Sequence, residues 1–116
     1  MKLINVTYIE EICAGSSEII FEMIDIFKSQ VSEFSVEMNN LLKKGMHYEL
    51  GLLAHKSKSS VAIMGMEKLA AMLKELESKA KAGTDPDSYA DYISEFESQT
   101  RQAIEELDLY VKTLDR

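Results

Sequence analysis

Residues 16–45 read SSEIIFEMIDIFKSQVSEFSVEMNNLLKKG, and this stretch decides the predicted fold. Its apolar side chains recur in alternating steps of four and three residues, which places them on one face of an α-helix. Two lysines and a glycine close the stretch, as is typical of the carboxyl end of a helix. The stretch therefore predicts one long amphipathic helix with a buried face of Ile20, Ile24, Phe27, Val31, Phe34, Met38 and Leu41.

Helices are also predicted on both sides of this long helix. Thr7 and Glu10 stand at capping-box spacing and predict a short first helix that ends at Gly15. A third helix is expected to begin near Met46 and to run through the residues before Gly65, either straight or with a bend near its end.

Two further helices complete the chain. Residues 66–83 predict a fourth helix that stops at Gly83, and Asp85 with Pro86 predicts the cap and first position of a last helix. The apolar faces of these two helices are Met66, Leu69, Leu73 and Leu76, and then Tyr89, Ile93, Phe96, Ala103, Leu107 and Leu114.

The predicted fold class is all-α, in one domain that covers residues 1–116. The predicted links around Gly15, Gly45 and Gly83 are short, and short links between long amphipathic helices favour antiparallel neighbours. We therefore expect an up-and-down antiparallel four-helix bundle with a short extra N-terminal helix.

Composition excludes several classes of function. The net charge is −7 without a basic stripe, so binding to nucleic acid or to an anionic membrane is not expected. No apolar run approaches the roughly 20 residues of a membrane span, and no signal peptide is evident. Cys13 is the only cysteine and is expected to be a buried thiol. A cytoplasmic, monomeric protein is the expectation.

One histidine of the third helix stands out from this pattern. With 100° per residue, His55 lies opposite the apolar side of the helix and is expected to face solvent. The predicted buried side consists of Met46, Leu50, Leu53, Val61 and Met64. The residues that share the face of His55 are small, apolar or cationic: Tyr48, Gly51, Leu52, Lys58, Ser59 and Ala62.

The chemistry open to such a face is limited. The sequence has no HExxH, CxxC or glycine-rich phosphate loop, and no metal site is predicted. His47 lies two turns before His55, too far along the helix to share a metal with it. One interpretation is an imidazole nucleophile presented to a partner that brings the catalytic groups. The other is that an exposed histidine has no function, as in most proteins.

The segment AHKSKSSVAIMG, residues 54–65, resembles the phospho-acceptor segment of histidine-containing phosphotransfer (Hpt) domains. That pattern has an alanine before the histidine, a lysine three residues after it, small residues next, and a glycine at the tenth position after it. The matching residues are Ala54, His55, Lys58, Ser59 with Ser60, and Gly65. The order of the predicted helices is similar to that of these domains over nearly the whole chain.

The resemblance implies a phosphoryl carrier in a two-component phosphorelay and not an enzyme. His55 would take the group from a receiver-domain aspartate or from a sensor or hybrid kinase, and pass it to another receiver. Lys58 would offset the phosphoryl charge, Gly65 would keep the surface open, and Glu77 would hydrogen-bond the other ring nitrogen. The chain would hold no cofactor, since Mg²⁺ is expected on the receiver. The receiver would be bound by the other residues of this face: Tyr48, Gly51, Leu52, Ser59 and Ala62.

Two positions depart from the family pattern. Ser57 stands where an aliphatic residue usually packs inward, and would need a hydrogen bond to a carbonyl one turn earlier. Ser59 stands where glycine is common. These departures keep open a helical docking or scaffold module without phosphotransfer. The phospho-acceptor domain of a chemotaxis-type histidine kinase is a second alternative.

Overall fold

The computed structural model describes residues 2–114, and this part of the chain contains helices and turns but no strand. The all-α prediction is therefore confirmed. One 3₁₀ turn, Pro86–Ser88, precedes the last helix. The five α-helices are α1 (Val6–Ile12), α2 (Ser17–Lys43), α3 (His47–Ile63), α4 (Glu67–Ala82) and α5 (Tyr89–Val111).

The four longer helices enclose one hydrophobic core. Helix α3 contacts α2 and α4, and α5 contacts α4 and α2, so the contacts close a ring. The predicted apolar face of α2 is confirmed, with Leu41 half-buried and the other six residues buried. From the short helix α1, Ile9 enters this core, and Cys13 follows it as a buried thiol whose pKa is raised by burial.

Tight turns connect α2 to α3 and α3 to α4. Each turn is three residues long, and each contains a glycine with positive φ, +69° at Gly45 and +78° at Gly65. Contacts across the turns fix the directions of neighbouring helices. Ser60 of α3 bonds to Gln30 of α2, and His55 bonds to Glu77 of α4, at the separations that a folded-back chain requires.

The predicted capping residues of two helices are wrong. Helix α1 is capped by Asn5, whose Oδ1 accepts from the backbone N–H of Tyr8 at 3.0 Å, whereas Thr7 lies inside the helix. Asp85 does not cap α5, because its carboxylate accepts from Lys79 at 3.2 Å and a 3₁₀ turn intervenes. Helix α5 begins only at Tyr89, beyond the predicted start.

Met46 was predicted on the buried side of α3, and this prediction is wrong. The residue is the N-cap of α3, with φ −86° and ψ +72°, and its side chain is 39% exposed. Helical periodicity does not apply to a residue whose backbone is not helical. The four other residues assigned to the buried side are all buried: Leu50, Leu53, Val61 and Met64.

Candidate functional site

His55 lies in the middle of α3 and projects away from the core, as predicted. Its side chain is 60% exposed, although Ala54 and Ser57 on either side of it are buried. The ring is therefore accessible while the helix that carries it is firmly packed on both flanks. An accessible imidazole on a rigid backbone suits a reaction with a group that another molecule presents.

Glu77 of α4 gathers the polar groups around the imidazole. Its Oε2 lies 3.0 Å from His55 Nδ1 and 2.9 Å from Lys81 Nζ, and its Oε1 lies 3.4 Å from Lys58 Nζ. The Glu77 side chain is only 14% exposed. One carboxylate thus joins the histidine to two cations, one from each of the two helices.

The ionisation of Glu77 fixes the proton on the imidazole ring. The hydrogen bond from Lys81 is the largest cause that lowers the Glu77 pKa, to about 2, and bonds with His55 and Lys58 add to it against the opposing effect of burial. At neutral pH the group is a carboxylate, which only accepts hydrogen bonds. His55 Nδ1 therefore carries the donated proton, and the lone pair of a neutral ring is left on Nε2.

The lowered pKa of Glu77 predicts how the unfolding free energy of the protein depends on pH. A carboxylate with a depressed pKa in the folded state stabilises the protein above its ordinary pKa of 4.5 and loses that contribution as pH falls towards about 2. We expect Glu77→Gln to lower the unfolding free energy near neutral pH, and the deficit to shrink between about pH 5 and pH 2. Urea unfolding across this range, with the exposed Glu95→Gln as control for lost charge, measures it. A deficit independent of pH would contradict it.

Sequence reasoning missed Lys81, the nearest cation to Glu77. The signal was present, because Glu77 and Lys81 stand at the i, i+4 spacing that pairs side chains on one helix face. Such pairs are common on solvated helices, so the spacing alone does not indicate a functional site. Only the packing of α4 against α3 brings this pair to the histidine.

The face around His55 retains most of the residues that were predicted for it. Tyr48 is 55% exposed and Leu52 is 46% exposed, Ser59 is exposed, and Ala62 is half-buried. Gly51 was placed on the same accessible face, and that placement is wrong because it is buried against α4. A Cβ there would lie 2.8 Å from Lys81 Cγ and 3.1 Å from two backbone atoms of α4.

Gly65 was expected to keep the surface open beside the imidazole, and the structure gives it another position. It lies in the turn after α3, where its backbone φ is +78°. A Cβ on it would lie 2.4 Å from the Cβ of Asn5. Gly65 therefore allows the N-terminal segment to pack on the turn, about 15 Å along the chain from His55 by helical rise.

Ser57 has the inward position and the hydrogen bond that were predicted for it. The residue is fully buried, and its hydroxyl donates to the carbonyl oxygen of Ala54 at 3.1 Å. A satisfied hydroxyl does not carry the cost of an unpaired buried polar group. Serine therefore replaces the usual aliphatic residue at this position without leaving an unpaired polar group in α3.

The second histidine is part of the packing. The ring of His47 meets the ring of Tyr89 edge-on, with centroids 5.2 Å apart. Across residues 2–114, no three His, Cys, Asp or Glu side chains are grouped so as to hold a metal ion. Within the same range, no helix has both the length and the apolar character needed to cross a membrane.

A comparison of the chain with known protein families agrees with the geometry of the His55 site. The family model described as the Hpt domain matches residues 22–113. The chain belongs to the Hpt domain family. The prediction made from the segment around His55 is thereby confirmed. No curated protein and no solved structure matches the chain.

Membership defines the general function of the domain. Hpt domains are phosphocarrier modules that take part in histidine phosphotransfer within phosphorelays, where they interact with kinases and receiver domains. They are not catalysts in themselves. The match extends from the first third of α2 through the end of α5 and therefore includes His55, Lys58, Glu77 and Lys81.

Proposed function

We propose that His55 is the phospho-acceptor of this Hpt domain, and that it exchanges a phosphoryl group with the aspartates of receiver domains. One observation carries the proposal: Nδ1 of the exposed imidazole lies 3.0 Å from Oε2 of the Glu77 carboxylate. We infer that Nδ1 donates its proton to this carboxylate, which only accepts hydrogen bonds when ionised. The reactive nitrogen is then Nε2. A sensor or hybrid kinase is the other source of the group in this proposal.

The proposed step is an in-line displacement at phosphorus. The Nε2 lone pair forms the N–P bond while the bond from phosphorus to the aspartate oxygen breaks, and the aspartate leaves as a carboxylate. Nδ1 keeps its proton, so positive charge develops on the ring as the bond forms. The carboxylate of Glu77 stabilises that charge, and the return step to a second receiver reverses each change.

The remaining catalytic groups belong to the partner in this proposal. The receiver supplies Mg²⁺ and the cations that stabilise the transferring group, while this domain supplies the imidazole and Lys58. Docking uses the exposed apolar residues on the face of His55, with Tyr48 and Leu52 at the centre and Ser59 and Ala62 beside them. The small apolar centre suits a transient interface.

The proposal includes the up-and-down order of the four longer helices. Two contacts between α2 and α5 support it, since Lys28 pairs with Asp108 and Ser35 with Glu97, so that residues later in α2 meet residues earlier in α5. We further propose that the domain acts as a monomer in the cytoplasm, where receivers and kinase domains of these pathways exchange phosphoryl groups.

The test is transfer from a receiver domain that carries radiolabelled phosphate on its aspartate. The expected product is label on this chain that is lost in acid and retained in alkali, as a phosphoramidate bond requires. If several phosphorylated receivers bind but transfer no label, the result favours the docking or scaffold module. If the chain takes label from a kinase domain but from none of the receivers, the result would instead favour the acceptor domain of a chemotaxis-type kinase.

Lys58 gives a second prediction for this reaction. Its ammonium makes only the longest of the three bonds to Glu77, at 3.4 Å. In this proposal it moves to the oxygens of the phosphoryl group on His55, one helix turn earlier. Lys58→Ala should slow transfer about tenfold, since a charge-assisted hydrogen bond contributes roughly 1.5 kcal/mol. Transfer reactions quenched at successive times measure the rate of label transfer. Lys56→Ala, which removes an exposed lysine from the same helix, is the control, and equal rates in both variants would refute the role.

A further inference from the structure

Two hydrogen bonds converge on one oxygen of Glu77. His55 Nδ1 lies 3.0 Å from Oε2 and Lys81 Nζ lies 2.9 Å from the same atom. Lys58, in contrast, reaches only the other oxygen, at 3.4 Å. The cation nearest to the atom that orients the imidazole is thus on α4, four residues after Glu77, and not on the helix of the histidine.

The path of the Lys81 side chain depends on Gly51. The methylene stem of Lys81 crosses α3 where Gly51 has no side chain, since a Cβ at that position would lie 2.8 Å from Lys81 Cγ. The same Cβ would lie 3.1 Å from Glu77 O and from Lys81 N, so α4 also approaches α3 closely there. A glycine inside a helix is less favourable than an alanine. The close approach of Lys81 and Glu77 explains why α3 nevertheless carries a glycine at this position.

Arrival of a phosphoryl group changes the balance of charge at this site. The group brings negative oxygens next to the Glu77 carboxylate, and the weakly held ammonium of Lys58 has a stronger partner in those oxygens. Glu77 then loses one of its two cations. Without a second one, its carboxylate would be repelled by the phosphoryl group and its bond to the ring would weaken.

We infer that Lys81 is the positioning residue of this site: it holds Glu77 Oε2 against His55 Nδ1 while Lys58 moves to the phosphoryl group. The two lysines thus have separate tasks, one on the carboxylate and one on the phosphate. This inference rests on the proposed function for the meaning of the site. Its geometric content, the control of the imidazole tautomer by Lys81, is tested without phosphotransfer.

The first experiment measures the tautomer of His55 by ¹⁵N NMR in the protein at neutral and higher pH. The wild type should hold its neutral ring with the proton on Nδ1. Lys81→Met should shift population towards the Nε2–H form, which isolated imidazole side chains prefer, and Lys81→Arg should restore the wild-type signal. Lys58→Ala should leave the tautomer unchanged, because Lys58 does not touch Oε2.

The second experiment measures reactivity with phosphoramidate, a small donor that needs no partner surface. The Nε2 lone pair displaces ammonia from phosphorus, so the rate reports the nucleophile alone. We expect Lys81→Met to react about fivefold more slowly than wild type, as loss of about 1 kcal/mol of orientation implies. Lys68→Met, an exposed lysine of α4 away from Glu77, is the matched control and should react like wild type.

The outcomes separate this inference from the proposed function. An unchanged His55 tautomer in folded Lys81→Met, or failure of Lys81→Arg to restore it, overturns the role of Lys81. A shifted tautomer restored by arginine supports that role whether or not any receiver transfers label. Failure of the wild type to take label from phosphorylated receivers overturns the proposed function while leaving the tautomer result intact.

Discussion

Gly65→Ala should lower the unfolding free energy by about 3 kcal/mol, from a left-handed backbone strained by a side chain and from overpacking. The backbone φ of +78° already disfavours any side chain. In addition, the new Cβ would lie 2.4 Å from Asn5 Cβ and 3.1 Å from Asn5 N. The N-terminal segment would have to leave the turn, which breaks the bond from Asn5 N to Met64 O.

Gly45→Ala is the matched control for this effect. Its φ of +69° is nearly the same, but no atom lies within 4 Å of the Cβ position. Its cost should therefore be only the backbone strain, about 1 kcal/mol. Urea unfolding of both variants measures the difference. Equal losses in the two variants would show that the contact with Asn5 contributes nothing.

The outcome also decides between two views of Gly65. From sequence, Gly65 was expected to keep the surface beside the imidazole open, so that a side chain there would hinder receiver docking. The position in the turn between α3 and α4 reverses that expectation. At a temperature where Gly65→Ala is still folded, transfer to His55 should proceed at close to the wild-type rate. A folded variant with strongly reduced transfer would return Gly65 to the docking surface.

His55→Gln should abolish transfer of label from a phosphorylated receiver while leaving the fold intact. Glutamine has no nucleophilic ring nitrogen, so the N–P bond cannot form. Stability should change by about 1 kcal/mol or less, because the side chain is 60% exposed and the amide of glutamine can still donate to Glu77. Label transfer and urea unfolding of the same preparation measure both quantities.

His47→Gln is the control for the chemistry of the residue type. It removes the other histidine, whose ring packs edge-on against Tyr89, and should retain full labelling at a loss of about 1 kcal/mol of stability. Label on His55→Gln at the wild-type level would place the acceptor elsewhere. Loss of label in both folded variants would remove the distinction between the two histidines.

The predictions of most core residues and of the exposed histidine are confirmed, and both rest on the same physical reason. Burial along a helix repeats every 3.6 residues, so the apolar stripe of α2 and the orientation of His55 on α3 are set by local geometry. The same reasoning failed at Met46, where the backbone is not yet helical. The capping prediction, which rested on residue type and not on periodicity, failed at Asp85, because a lysine of α4 takes the carboxylate that was expected to cap α5.

The site shows where local reasoning ends. Glu77 was assigned to the imidazole by family resemblance, and the structure places its Oε2 at 3.0 Å from Nδ1. Helical periodicity could not distinguish Gly51 from Leu52, since both share the face of His55. In the structure Gly51 is buried under α4, whereas Leu52 is exposed. That difference depends on where the neighbouring helix crosses.

The sequence by itself predicted the helices, most of the core residues and the exposed position of His55 in this Hpt domain, because each depends on the periodicity of one helix or on the residue type at one position. Only the tertiary structure decided what surrounds the imidazole. Lys81 bonds from α4 to the Glu77 carboxylate beside the ring, and Gly51 leaves room for the Lys81 side chain between the two helices. The tertiary structure also decided the role of Gly65, which lies away from the ring and accommodates Asn5 of the N-terminal segment. These relations join residues far apart in the chain, and they are set by how closely whole helices pack.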